Sequence, residues 1–142
     1  MTSAEVIGLP PEAAIKKITK FFYFTLSNEN KIIEASSRAV SLFEKSFNLV
    51  QSLNDIWKLY KNDRYADLTT SEMVEPVFGV SLDQWTQFRK TALDEEVFIT
   101  TLVLLDIDIN VIADGLSLPK GTVIYRINRA LIKLGNLLEN GI

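Results

Sequence analysis

Cysteine and histidine are both absent from this chain of 142 residues. Without thiolate and imidazole side chains there is no disulfide framework, no zinc site built from Cys and His, and no histidine general base. A glycine-rich phosphate loop, a nucleophile elbow and the spacing of metal ligands are also missing. These absences predict a protein that is not an enzyme and that needs neither a metal ion nor a cofactor.

Long apolar runs are absent as well. No stretch approaches the ~18 apolar residues of a membrane helix, and the first residues show no signal-peptide pattern. We therefore expect a cytoplasmic protein with no membrane among its partners. Apolar residues still make up 47% of the sequence, and a chain of this length buries about two-thirds of its unfolded surface. One or two small globular domains are expected.

The sequence shows no strand-like alternation over a useful length. Its apolar residues recur at steps of three and four, which predicts helices nearly throughout. In the first part of the chain the predicted helices run from about 11 to 26, from about 29 to 50 and from about 54 to 65. Together they form a predicted N-terminal helical domain, residues 1–66.

A break follows this predicted domain. Residues 67–80, DLTTSEMVEPVFGV, interrupt the helical period with Pro76 and Gly79 and carry three acids without a basic residue. Such a composition predicts an acidic linker. The expected fold class is therefore all-α, with the N-terminal helical domain joined by this linker to a C-terminal helix-turn-helix domain, residues 81–142. The sequence leaves open whether the two halves stay apart or pack together.

The helix-turn-helix is predicted from residues 111–134, VIADGLSLPKGTVIYRINRALIKL. Their apolar residues fall on one face of a short first helix and one face of a longer second helix, with only residues 116–118 between them for a turn. Pro119 suits the first position of a helix, whose N–H needs no partner, so the second helix is expected to begin at about Pro119. In such a motif the second helix enters the major groove of DNA and the first crosses the phosphate backbone.

Charge is distributed unevenly along the chain. The net charge of −3 argues against nonspecific coating of nucleic acid, because phosphate neutralisation by Lys and Arg supplies most of that affinity. Residues 94–118 carry six acids and no basic residue, whereas residues 119–142 carry four basic residues and one acid. The predicted second helix is thus a positive island in an acidic domain. Three of its cations, spaced by three and four, form a cationic ridge: Arg126, Arg129 and Lys133.

The residues of this motif resemble a known family. The run IAxxLxLxxGTVxxRxxRAxxKL is similar to the promoter-reading fourth region of bacterial sigma factors, above all those of the extracytoplasmic-function type. Residues 93–106, LDEEVFITTLVLLD, stand where that family has a helix with an acidic start. The resemblance covers roughly the last third of the chain, and helix-turn-helix domains of response regulators share part of it. The positions that fill the run are Ile112, Ala113, Leu116, Leu118, Gly121, Thr122, Val123, Arg126, Arg129, Ala130, Lys133 and Leu134.

The resemblance implies a transcription regulator without a cofactor. Residues 1–66 would take the place of the second sigma region, which docks on core RNA polymerase and opens the promoter. The C-terminal motif would bind double-stranded promoter DNA, which requires the cationic ridge to be uncovered and able to enter a duplex. The residues expected to reach DNA are Lys120, Thr122, Tyr125, Arg126 and Arg129.

Three positions depart from the family's pattern. Pro119 stands where a Ser or Thr cap is usual, Ile124 where a basic residue is common, and Tyr125 where a small polar residue is common. These changes remove phosphate contacts or add bulk. The alternative interpretation is a sigma mimic that binds a protein, such as an anti-sigma factor, without reading DNA. The aromatic run of residues 21–24 fits either a protein interface or a hydrophobic core.

Acidic residues near the motif have structural interpretations. The segment that starts at Asp106 begins like a calcium loop but lacks the glycine of position six and the glutamate of position twelve. Asp108 is instead predicted to be the N-cap of the first helix of the motif. Glu95 and Glu96 are interpreted as first-turn partners of a helix dipole, not as a catalytic carboxylate pair.

Overall fold

The computed structural model describes residues 11–65 and 82–139. Within these residues the chain is helical and has no strand, so the predicted all-α class is confirmed. The predicted linker, residues 67–80, lies outside the described residues. The described elements, in chain order, are α1 (Pro11–Thr25), α2 (Glu29–Ser46), α3 (Leu49–Tyr60), a 3₁₀-helix (Lys61–Tyr65), α4 (Leu82–Thr91), α5 (Asp94–Leu104), α6 (Ile109–Leu116) and α7 (Lys120–Glu139).

The break between α2 and α3 comes earlier in the chain than the apolar pattern predicts. Phe47 ends α2 in the left-handed conformation, with φ 55°, and Asn48 caps α3 by accepting a hydrogen bond from the Gln51 N–H at 3.1 Å. Leu49 and Val50, which the pattern assigns to the preceding helix, are buried on the first turn of α3. Because the apolar spacing continues across the break, only the capping asparagine reveals it.

The 3₁₀-helix holds the turn between α1 and α2. The Asp63 carboxylate accepts hydrogen bonds from the N–H of Ser27 at 2.7 Å and the N–H of Asn28 at 2.9 Å. The Ser27 hydroxyl donates to the Asp63 carbonyl at 2.9 Å. Asn28 in turn caps α2, since its side chain accepts from two N–H groups of the first turn. These bonds satisfy backbone donors that a helix start otherwise leaves without partners, and they close the three N-terminal helices into a bundle.

An aromatic cluster joins this bundle to α5. Phe21 of α1 is fully buried and packs edge-on against Trp57 of α3 and Phe98 of α5, with ring centroids 5.7 and 5.3 Å away. The Trp57 indole N–H donates to the carbonyl of Asp94, the first residue of α5, at 3.2 Å. Core packing therefore explains Phe21 in the aromatic run, whereas Tyr23 in the same run is 39% exposed.

α4 is tied to the end of α1 by two side chains. The Trp85 indole N–H donates to the Phe24 carbonyl at 2.7 Å. The fully buried guanidinium of Arg89 donates to the Thr25 carbonyl at 3.1 Å and to the Ser27 hydroxyl at 3.2 Å. A buried cation is tolerated only where it is hydrogen-bonded, so Arg89 fixes the place at which α4 meets the bundle.

α5 lies at the centre of the molecule. All of its residues from 96 to 102 are buried, and it packs against α1 and against α7. The buried apolar residues of the described helices form one continuous cluster. The described parts of the two predicted domains therefore pack together around a shared core, while the domain boundaries themselves stay a prediction.

In the parts of the chain that the structure describes, no helix combines the length and the apolar character needed to cross a membrane.

α6 approaches α3 closely at a glycine. A Cβ on Gly115 would lie 2.5 Å from the Val50 Cβ and 2.7 Å from the Val50 Cγ1. Carbon atoms in contact prefer a separation of about 3.5–4.0 Å, so any other residue would push the two helices apart. α6, the first helix of the predicted helix-turn-helix, thus packs directly on the N-terminal bundle.

Replacing Gly115 by Ala is expected to destabilise the fold by about 1–3 kcal/mol, because α6 and α3 must separate to admit the methyl group. Gly135→Ala is the matched control, since nothing in the described structure lies within 4 Å of a Cβ at that position. Removing this glycine from the interior of α7 should stabilise the protein by up to about 1 kcal/mol. Urea unfolding followed by circular dichroism measures both variants. A Gly115→Ala protein as stable as the parent would contradict the close packing of the two helices.

Candidate helix-turn-helix interface

The turn between α6 and α7 has the geometry that the sequence predicts. Asp108 is the N-cap of α6, as predicted, and its carboxylate accepts a hydrogen bond from the Asn110 N–H at 2.7 Å. Ser117 ends α6 in the left-handed conformation with φ 55°, and the Leu118 N–H donates to the Ala113 carbonyl at 3.0 Å. This pattern of bonds closes a helix end and reverses the chain within a few residues.

α7 begins next to the predicted position. The Pro119 carbonyl accepts hydrogen bonds from the N–H groups of Thr122 and Val123 at 3.0 and 3.2 Å, so Pro119 precedes the first helical residue, Lys120. α6 packs against α7. Both helices contribute to the shared core, through the buried residues Ile112, Ala113, Val123, Ile127, Ala130 and Leu134.

The five residues expected to reach DNA do not form one face of α7. At about 100° per residue, the direction opposite the buried stripe points to solvent. Tyr125 lies on this outer side and is 63% exposed. Lys120 is exposed on one flank of the helix, while Thr122, Arg126 and Arg129 lie on the other flank. A duplex that meets the outer side would therefore contact Tyr125 first and the two arginines only at its edge.

The cationic ridge faces the acidic first turn of α5. Arg126 Nη1 lies 3.4 Å from Glu95 Oε2, Arg129 Nε lies 3.7 Å from Glu96 Oε2, and Lys133 Nζ lies 2.6 Å from Glu96 Oε1. The two arginine side chains remain 36% and 51% exposed. They are therefore not covered by the chain, as DNA contact requires, but all three cations have a carboxylate beside them.

Glu96 is the buried member of this ion-pair network. Its side chain is only 4% exposed. Oε1 accepts hydrogen bonds from Lys133 Nζ and from the Leu93 N–H at 2.9 Å, while Oε2 has no hydrogen-bond partner in the described structure. Burial alone raises the pKa of this carboxyl. The hydrogen bonds from Lys133 and Leu93 and the charges of Lys133 and Arg129 together outweigh burial, and the pKa is lowered from its ordinary value.

Part of the solvent side of α7 is apolar and uncharged, and the exposed cations Lys120 and Arg129 lie on its two edges. We call it the outer face and define it as Gly121, Ile124, Tyr125, Asn128, Leu131, Ile132 and Gly135. Ile132 is 64% exposed, and Ile124 and Leu131 are 38% and 39% exposed. Exposed apolar residues that lie together on one helix face are unusual on a monomer surface and commonly mark a site of protein contact.

A groove of about 410 Å³ separates the motif from the N-terminal bundle. Trp57 and Phe98 line it together with Lys58, Asp94 and Arg126. Arg126 thus faces a protein-lined groove on one side and Glu95 on the other. Its guanidinium is directed toward the body of the protein, which reduces its value as a phosphate contact.

The basic residues lie on one helix, as their spacing predicts, but their carboxylate partners were not predicted. Glu95 and Glu96 were expected only as helix-dipole residues, and Lys133 was not among the residues expected to reach DNA. A signal was present: the segment 94–118 has six acids and no base, and the cationic helix follows it directly. Opposite charges on neighbouring helices of a small domain attract, so intramolecular pairing was the simpler expectation.

No protein-family model, no curated protein and no solved structure matches this chain. The resemblance to sigma factors therefore stays a prediction. Over the described residues there is also no group of three or more acidic side chains placed to hold a metal ion.

Glu96→Gln is expected to destabilise the fold by about 1–3 kcal/mol, because the neutral amide loses a charge-assisted hydrogen bond in a buried place. Glu95→Gln is the matched control. Its parent side chain is 50% exposed, and an exposed ion pair contributes about 0–1 kcal/mol. Urea unfolding at neutral pH measures both variants. Equal losses of unfolding free energy in the two variants would show that the buried Glu96 contributes no more to stability than the exposed Glu95.

The lowered pKa of Glu96 predicts a stability loss in acid. The folded state binds the proton less readily than the unfolded state, so the stabilisation is complete above the ordinary glutamate pKa of about 4.3 and is lost as the pH falls through the lower, folded value. The difference in unfolding free energy between the parent and Glu96→Gln should therefore shrink as the pH falls from 6 toward about 3. Urea titrations across this pH range measure the difference in unfolding free energy. If that difference does not change with pH, the loss of stability in Glu96→Gln comes from packing and not from the charge of Glu96.

Proposed function

We propose that this chain is a sigma-like transcription regulator that acts by binding a protein through the outer face of α7, without reading promoter DNA. The observation that carries the proposal is the division of charge around α7. The cationic ridge is turned toward Glu95 and Glu96, and the outer face carries no charged side chain. Affinity for DNA depends on neutralising phosphates, whereas protein interfaces have cores that are depleted in charge and enriched in aromatic residues.

The ion-pair network bears on the choice between DNA and protein. Arg129 and Lys133 are the counter-charges of Glu96, whose side chain is only 4% exposed, while their own side chains are 51% and 40% exposed. A carboxylate removed from water needs a compensating charge, so moving both cations to phosphates would leave Glu96 uncompensated. Solvent lowers this cost because the cations are half exposed. Binding through the outer face leaves the network intact, which favours protein contact.

The class of partner follows from the resemblance. A chain that resembles the fourth sigma region carries the kind of surface that anti-sigma factors and core RNA polymerase recognise in sigma factors. Tyr125 and Ile132, the two most exposed large hydrophobic residues of the outer face, are the anchors that we propose for this contact, at 63% and 64% exposure. Tyrosine is enriched among the residues that dominate binding energy in protein interfaces.

Promoter reading is the second candidate function, and the first turn of α7 favours it. Lys120 and Gly121 are exposed, and the space around Gly121 is open. The N-terminus of a helix attracts phosphate through its N–H groups and its dipole. On this second proposal Lys120, Thr122, Tyr125, Arg126 and Arg129 would contact DNA, and core RNA polymerase would be the protein partner.

Anisotropy titrations with a fluorescent duplex library at low salt separate the two candidates. We expect no measurable binding by the parent chain, and none by Arg126→Ala/Arg129→Ala. If the parent binds and the double variant binds more weakly, promoter reading is supported and the first proposal is contradicted. In that case the logarithmic salt slope should fall by about one for each phosphate contact removed.

Binding to purified core RNA polymerase and to an anti-sigma domain of the extracytoplasmic-function class tests the protein contact directly. Tyr125→Ser/Ile132→Ser should weaken retention at least tenfold, while Arg126→Ala/Arg129→Ala should not. Ile33→Ser is the matched control, because Ile33 on α2 is 60% exposed, much like Ile132. Loss of binding in the arginine variant, or equal loss in the Ile33 variant, would contradict the role of the outer face.

A further inference from the structure

The outer face of α7 has the same order of residue types in both directions along the helix. Asn128 lies at its centre. Seven residues away on either side are Gly121 and Gly135, and four away are Ile124 and Ile132. The remaining pair, three residues from the centre, consists of the bulky side chains of Tyr125 and Leu131.

We propose that the occupant of this face is a second copy of the chain, bound through an antiparallel pair of α7 helices with its two-fold axis at Asn128. A two-fold interface requires that residue i meet residue j of the partner while j meets i. In this arrangement each Gly121 lies level with a Gly135, each Ile124 with an Ile132, and each Tyr125 with a Leu131. The two Asn128 side chains meet on the axis.

The residues at the ends, along the length and at the centre of the helix pair each have a size and polarity that fit their position. Among the described residues nothing lies within 4 Å of a Cβ at either end glycine, so the two helices can approach closely there. The exposed isoleucines, leucines and tyrosines supply the apolar surface that the pair would bury. Asparagine at the centre of a helix seam fixes register and orientation, because any other register leaves its amide without a partner.

The charge distribution permits the pair. The outer face has no formal charge, so two copies meet without repulsion across it. Arg129 lies at the edge of this face, and in an antiparallel pair the two Arg129 side chains lie on the same side of the seam. Each is directed toward its own Glu96, with Nε 3.7 Å from the carboxylate oxygen, which reduces the repulsion although Lys133 shares that carboxylate. The intramolecular network on the flank thus makes the self-association electrostatically acceptable.

The size of the face indicates a weak dimer. Each copy contributes four large apolar side chains, and their complete burial would remove roughly 900 Å² of surface from water over the two copies together. The glycine and asparagine positions raise this total toward the lower end of the ~1,200–2,000 Å² that specific interfaces bury. Interfaces of that size are typical of reversible association. The proposed dimer uses the same outer face as the protein contact in the proposed function, so a foreign partner would displace the second copy. Self-association does not require that partner.

Single-cysteine variants test the arrangement, because the chain contains no cysteine of its own. Two helices 8–10 Å apart bring Cα atoms on the seam to about 4–6 Å, within reach of a disulfide. Under mild oxidation Asn128→Cys should form a covalent dimer. Gly121→Cys and Gly135→Cys should form one when mixed, and neither should do so alone. Ser37→Cys, exposed on α2, is the control that should stay monomeric.

The outcomes separate the possible arrangements. Dimers of Gly121→Cys alone would indicate a parallel pair and overturn the proposed axis. Covalent dimers of Ser37→Cys as abundant as those of Asn128→Cys would show random collision and overturn the proposal. The variants change helix positions that are exposed or, at Gly135, half-buried, and circular dichroism checks that they fold.

Sedimentation of the unmodified chain supplies the second test. The mass should rise from monomer to dimer with concentration in the micromolar range, and Ile132→Glu should weaken the association at least tenfold. Ile33→Glu should leave it unchanged. A parent chain that stays monomeric at all concentrations would overturn the dimer but not the proposed contact with polymerase or an anti-sigma protein, which is measured with dilute chain.

Discussion

One constraint shapes the rest of this fold: beyond its first two residues, α5 is buried around its whole circumference. A helix with a single apolar stripe can lie on the surface of a domain, whereas one without a polar side has to be surrounded. The stretch from residue 96 to 102 is buried throughout, with Phe98 directed to the N-terminal aromatic cluster and the first turn directed to α7. The two halves of the chain therefore cannot separate without exposing this helix to water.

The position of α5 determines how the charges are arranged. Because its acidic first turn is brought against α7, the carboxylate of Glu96 is removed from water and must have cationic partners. Lys133 and Arg129 supply them. The resemblance to sigma factors implies that these cations bind phosphate. In this fold they are also the counter-charges of the acidic first turn of α5, so any contact with DNA would compete with that pairing.

Much of the local structure follows from the sequence, for identifiable reasons. The bounds of α1, the Asp108 cap and the start of α7 were predicted because prolines and capping side chains act within a few residues of the chain. The end of α2 was not, since the apolar stripe through Leu49 and Val50 continues across it. The shared core was not predicted either. The spacing of Val97, Thr101, Leu104 and Leu105 alone indicates one inward face, although Phe98, Ile99 and Leu102 between them are also buried and leave no solvent side over this stretch.

The contacts of the candidate interface could not be predicted from the sequence either. Sequence spacing places Arg126, Arg129 and Lys133 on one ridge, but whether a ridge meets DNA or an acidic helix depends on tertiary packing, which spacing does not contain. Exposure of the outer face likewise depends on α5 and α4 covering the other sides of α7. Once they do, the residues left in solvent include glycines, an asparagine and apolar side chains. This composition offers no charge to phosphate, and its order around Asn128 is the same in both directions along the helix. The packing that pairs the cations with carboxylates therefore also supports our proposal that α7 binds protein.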